Sequence, residues 1–245
     1  MKSTYLPLLK IQRDFYEKPM SRDRFQEYMK TMLKENKSDL QLPLVAMNPM
    51  GKEHLSPYLE RLIQMEIDER AAQITDEFSP EWHNLPGEFK ISLIVVDDLK
   101  GGWTNRFLVD FNTRFRDGSY RKRRFAVANL WSSQEFTLEE ALLQVRMTLN
   151  RLAYSQHFGE AKSLRQMMSQ EGYAMCKSDV PPPEFEPDEL EYIQEILAPL
   201  RELDSEPVLI PALFGDVAAS QLGYTQLGLT PEAGLKLAHF EALHP

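Results

Sequence analysis

The chain has 245 residues, 42% of them hydrophobic, with 13 Phe, 9 Tyr and 3 Trp, so a sizeable core can be buried within one large domain or two small ones. Its formal net charge of −9 disfavours broad binding to nucleic-acid backbone, and no run approaches the ~20 apolar residues that cross a bilayer. A single cysteine, Cys176, excludes an internal disulfide; with no signal-peptide core in "MKSTYLPLLKIQRDFYEK", the expected location is cytoplasmic.

Along the chain, Arg22 to Lys34 reads as a helix with Phe25, Tyr28, Met29, Met32 and Leu33 on one face and Ser21 as its N-cap. "DLQLPLVAMNPMGKEHLSP", Asp39 to Pro57, is broken by prolines, and its apolar residues predict a loop packed on the body. Ser56 and Pro57 open a further helix through Tyr58, Leu62 and Met65, extended by Ala71, Ala72 and Ile74. "KISLIVV", Lys90 to Val96, predicts a strand covered on both faces.

"RFLVDFNTRF", Arg106 to Phe115, reads as a half-buried strand with Phe107, Val109, Phe111 and Phe115 on its apolar side. The Asp117-Gly118 pair signals a hairpin turn, and Arg123 to Trp131 supplies the returning strand. The expectation is an antiparallel meander of three strands, with a fourth from Leu42 to Met47. Thr137 and Glu140 form a capping box before a long helix to about His157; another follows from Ala161 to about Met175. Four prolines mark Ser178 to Glu189 as a connector, and three short helices follow it. The predicted fold class is α+β: one domain over residues 1–245, a small antiparallel sheet packed by N- and C-terminal helices, with a C-terminal helical segment after the connector.

Chemistry concentrates in "DDLKGGWTNRF", Asp97 to Phe107. Asp97 and Asp98 reach the rim of the sheet, Gly101 and Gly102 permit unusual backbone geometry, Trp103 offers a flat face, and Asn105 and Arg106 supply polar contacts. The reading is a clamp for a small anionic or polar ligand held by Trp103, Asn105, Arg106 and Arg114. Arg114 to Phe125 holds six basic residues, Arg114, Arg116, Arg121, Lys122, Arg123 and Arg124, as a candidate grip for a phosphate-bearing ligand, an acidic protein partner or RNA. No G-x-S-x-G, P-loop or dinucleotide fingerprint occurs, and His54, His83, His239 and His244 show no ligand spacing.

Two resemblances add alternatives. Asp98-Leu99-Lys100 is similar to the metal-dependent nuclease pattern, which implies a divalent metal on Asp97 and Asp98, a water positioned by Lys100, and a further acid such as Glu88 or Glu69. A small sheet before a long helix resembles the order in zincin-type metalloproteases, whose helix carries His-Glu-x-x-His. Here the stretch is "AYSQH": only His157 matches, alanine stands at the first ligand position and tyrosine at the base, and Glu171 is a candidate later ligand, which leaves the zinc site incomplete. A third alternative is a non-catalytic subunit of an assembly.

Overall fold

The computed structural model describes residues 1–36, 39–82, 84–99 and 104–245, apart from the side chain of Arg22. Among these are twelve α-helices and a single three-stranded sheet. The chain forms two compact units, residues 1–109 with 116–149 and residues 110–115 with 150–245. It passes between them within α5 (Arg106–Phe115) and α7 (Leu138–Phe158).

The sheet of the first unit corrects the expected meander. Strands β1 (Lys2–Tyr5), β2 (Glu88–Val96) and β3 (Phe125–Trp131) run in the order β1-β2-β3, and both pairings are parallel. The reason lies in residues 106–115, which form a helix rather than a strand. Phe107, Phe111 and Phe115 satisfy a helical repeat of four as well as an alternating one, and the polar Asp110 is buried beside Phe111. Asn105 starts the helix, its side-chain oxygen accepting the Leu108 N–H at 3.0 Å. Nor is Asp117-Gly118 a hairpin turn. Asp117 has φ −78°, Gly118 is not among the positive-φ glycines, and the pair opens the short α6 (Gly118–Lys122). A helical crossover returns the chain parallel to its starting strand. Residues 42–47 contribute no strand; the nearest pairing is an isolated antiparallel bridge between Leu33 and Leu40.

β2 is the middle strand, and Ile91 to Val96 are buried without exception. Its flank beyond β1 is closed by a side chain. β1 pairs only up to Tyr5 with Ile91, after which the chain turns into α1 (Leu9–Tyr16). There the fully buried Gln12 donates from its amide to the Val95 carbonyl and accepts from the Val95 N–H, both at 2.9 Å. One glutamine thereby replaces a missing strand neighbour and leaves no orphan backbone group at that residue. Between β1 and β2 the chain also forms α2 (Arg22–Met32), α3 (Leu55–Gln64) and α4 (Ile67–Glu77). Asp68 at the start of α4 accepts from the Tyr5 hydroxyl at 2.7 Å and the Leu9 N–H at 3.2 Å.

The second unit is helical. α8 (Leu164–Lys177) packs against α12 (Ala233–Leu243) so closely that a Cβ on Gly172 would stand 2.3 Å from the Ala238 carbonyl oxygen. α8 begins with a full capping box between Ser163 and Gln166. Residues 181–186, within the proline-rich stretch, have no regular structure before α9 (Glu189–Leu197). α10 (Glu206–Phe214) and α11 (Asp216–Leu222) complete the unit. Among the described residues, no helix is long and apolar enough to cross a membrane.

Candidate functional site

In an open parallel sheet, ligand sites form beyond the carboxyl ends of the strands, where several chain segments converge. Here β2 ends at Val96 and β3 at Trp131, which are register partners, and the Ser132 N–H extends the pairing to the Val96 carbonyl at 3.0 Å. The next residues on the two strands therefore stand side by side. Asp97 Oδ1 accepts from the Ser132 hydroxyl at 2.9 Å, from His54 Nε2 at 2.9 Å and from the Leu99 N–H at 3.2 Å. Asp98 accepts from the Ser133 hydroxyl at 2.6 Å and the Ser133 N–H at 2.9 Å.

His54 reaches the cluster from the residue preceding α3. One turn further, the Tyr58 hydroxyl lies 3.1 Å from the Trp131 carbonyl and 2.9 Å from the Gln134 carbonyl, which pins α3 to the turn after β3. Tyr16 is sealed in nearby. Burial, with the charge of Asp97 added, holds its phenol far above the ordinary range, and its hydroxyl donates to the Asn48 carbonyl at 2.8 Å.

Two polar atoms in this cluster remain unused. The Asp97 side chain is fully buried, yet among the described residues its Oδ2 has no hydrogen-bond partner, and neither has the buried His54 Nδ1. Buried polar atoms without partners are rare because each forfeits its hydration. When His54 is neutral and donates through Nε2 to Asp97, Nδ1 is an acceptor; in the imidazolium form it is a donor. The pair accordingly offers a fixed acceptor on Asp97 and a switchable partner on His54. The order of groups differs from a nucleophilic triad, in which imidazole stands between carboxylate and hydroxyl. Here the carboxylate stands between Ser132 and His54, so the histidine does not activate the serine.

The expected site residues separate. Asp97 and Asp98 come together at the sheet edge, joined by His54, Ser132 and Ser133. Lys100 and Trp103 lie outside the described residues. Asn105 caps α5, and the Arg106 guanidinium lies 5.5 Å from the ring centroid of Trp131, the residue before Ser132. Arg114 belongs to the second unit, where its Nη1 lies 3.2 Å from Glu171 Oε2 and its Nη2 3.8 Å from Asp110. Glu171, entirely buried, is gripped again by Arg151, whose Nε and Nη2 lie 2.7 and 2.9 Å from its two oxygens. Burial pushes the Glu171 carboxyl up, but Arg151 and Arg114 together outweigh it and hold the group below its ordinary value. Both oxygens are engaged by guanidiniums, and His157 sits exposed near the end of α7, edge-on to Phe158. Glu88 begins β2 while Asp97 follows its end, about 30 Å along an extended strand, and Glu69 pairs with Lys10 on the surface. No group of three or more His, Cys, Asp or Glu side chains suited to a metal ion occurs among the described residues.

His54 and the two serines carry no signal in the sequence that marks them as site residues. His54 lies 43 positions before Asp97 with no motif linking them, and Ser132-Ser133 follows β3 as an ordinary polar turn. Comparison of the chain with protein-family models, with curated proteins and with solved structures finds no match.

Proposed function

We propose that this chain is a cytosolic binding protein for a small polar ligand, received at the carboxyl edge of its parallel sheet. The observation that carries the reading is a pair of buried atoms, Asp97 Oδ2 and His54 Nδ1, that have no partner among the described residues and sit on two side chains already hydrogen-bonded to each other. A ligand group that donates to Asp97, such as a hydroxyl, amide or ammonium, would satisfy the first. The same group or its neighbour would engage the second. Asp98, half-buried and fixed by Ser133, adds negative potential at the rim, so the guest is neutral or cationic where it meets the carboxylates. Arg106, whose guanidinium lies over Trp131 at the end of β3, is a basic group at this end of the sheet that suits a negative end of a zwitterion. The cytosolic location rests on Cys176, a free thiol whose pKa is raised by burial and which suits a reducing compartment.

The reading is tested with a panel of small probes, glycerol, ethanolamine and glycine, followed by thermal shift of the wild type and of Asp97→Asn. A saturable stabilisation by at least one probe, lost in Asp97→Asn while the variant stays folded, supports the site. An ordered water bridging Asp97 Oδ2 and His54 Nδ1 that none of the probes displaces would overturn it.

A further inference from the structure

The opposite, amino-terminal edge of the same sheet holds a second site of contrary charge. A cavity of about 410 Å³ is bounded there by Thr4, Glu88, Lys90, Arg123, Arg124 and Phe125. Thr4 pairs with Lys90, and Lys90 with Phe125, so these three side chains stand in one row on one face of the sheet. The lining carries three cations and one carboxylate on a chain whose net charge is −9.

The partners of these charges are distributed unevenly. Glu88 is 3.0 Å from Lys2. Arg123 is bound to Asp39, whose carboxyl it holds down to about 2, and to the Ser119 carbonyl. Lys90 and Arg124, by contrast, have no ion pair or side-chain hydrogen bond among the described residues. Arg124 is also held in an unusual way. Its backbone has φ 62°, in the left-handed region that residues with a Cβ rarely adopt, and its guanidinium lies 5.2 Å from the Phe89 ring centroid. Gly87, at φ 96°, makes the room: a Cβ there would stand 2.6 Å from Arg124 Nη1 and 2.9 Å from the Phe89 ring. Strained backbone that positions an unneutralised cation beside a cavity is the pattern of a ligand clamp rather than of a solvated edge.

We infer that this cavity binds a small phosphate-bearing anion at the amino-terminal rim of the sheet, where Lys90 and Arg124 both line it, with the Thr4 hydroxyl as a further donor. The ammonium and guanidinium supply charge-assisted hydrogen bonds, and both belong to rigid segments of backbone, since the Lys90 N–H donates to the Arg124 carbonyl at 2.8 Å. The site is separate from the carboxyl edge, and neither reading depends on the other.

The test uses the full chain and inorganic phosphate, titrated by calorimetry at ionic strength held constant with chloride, beside glycerol 3-phosphate. Saturable binding is expected, weakened about tenfold or more in Lys90→Gln and again in Arg124→Gly. Arg124→Gly removes the left-handed strain and tests the cation without adding bulk; Lys90→Gln changes an exposed strand position and keeps the test valid should the glycine variant unfold. Tighter binding of the ester assigns a phosphorylated small molecule, and equal binding assigns the free ion. Titrations that are flat for both probes in the wild type, or identical in wild type and Lys90→Gln, would overturn the inference.

Discussion

Replacing Glu171 with glutamine removes one charge from the second unit without changing its volume, which isolates electrostatics from packing. The carboxylate is fully buried and accepts from Arg151 at 2.7 and 2.9 Å and from Arg114 at 3.2 Å. The side chains of Arg151 and Arg114 are only 11% and 17% exposed, so neither cation can rehydrate where it stands. After the substitution, Asp110, 3.8 Å from Arg114, and the more weakly acting Glu232 are left to balance the guanidiniums, and the amide presents a donor where an acceptor stood. Leaving a buried charge uncompensated costs about 3–5 kcal/mol, a large part of the roughly 5–15 kcal/mol that holds a domain together. Urea unfolding followed by circular dichroism measures it directly, at unchanged m-value. The pH dependence adds a second reading. The folded-state pKa of Glu171 lies below its ordinary 4.5, so its contribution is complete above that value and is lost as pH falls through the lower folded one. The gap between wild type and Glu171→Gln should be widest near neutrality and should close in acid. A loss below about 1 kcal/mol at pH 7, or a gap that widens in acid, would show that the two guanidiniums do not depend on this carboxylate.

Two further substitutions probe the scaffold. Gln12→Leu leaves the Val95 N–H and carbonyl buried without partners, at about 1–3 kcal/mol for each group; amide exchange should accelerate sharply at Val95, and unchanged protection there would count against the strand-mimic role. Gly172→Ala sets helix propensity, worth about 1 kcal/mol in favour of alanine, against a Cβ placed 2.3 Å from the Ala238 carbonyl oxygen. Overpacking should win by about 1–3 kcal/mol and lower the Tm, whereas a rise in Tm would show that α8 and α12 can part freely.

Some of this architecture could be read from local chemistry alone. "LIVV" declares a strand buried on both faces, and Thr137 with Glu140 declares a helix start, since the Thr137 N–H donates to Glu140 at 2.8 Å and the Glu140 N–H to Thr137 at 3.2 Å. The direction of the sheet was not legible, because it turned on ten residues in which two periodicities overlap. Phe107, Phe111 and Phe115 fit either, and the buried face that includes Asp110 becomes visible only once Arg114 lies one helical turn away from it. Taken as a strand, that stretch makes Asp117-Gly118 look like a hairpin turn and the sheet antiparallel. The acidic half of the carboxyl-edge cluster was legible as two aspartates after an apolar strand. Its other half depended on tertiary convergence, which brings His54 from before α3 and Ser132 from after β3 to one carboxylate oxygen.

Among the described residues, Asp97 and His54 keep unused hydrogen-bonding capacity at the carboxyl edge of the sheet, and nitrogen-15 NMR of the His54 imidazole reads that capacity at the atom concerned. In the free protein's neutral form, Nε2 should carry the proton towards Asp97 while Nδ1 shows no hydrogen bond to protein, and the Nδ1 resonance should move saturably when a probe such as ethanolamine is added. An Nδ1 already bonded to a protein group in the free state, and indifferent to every probe, would contradict the account.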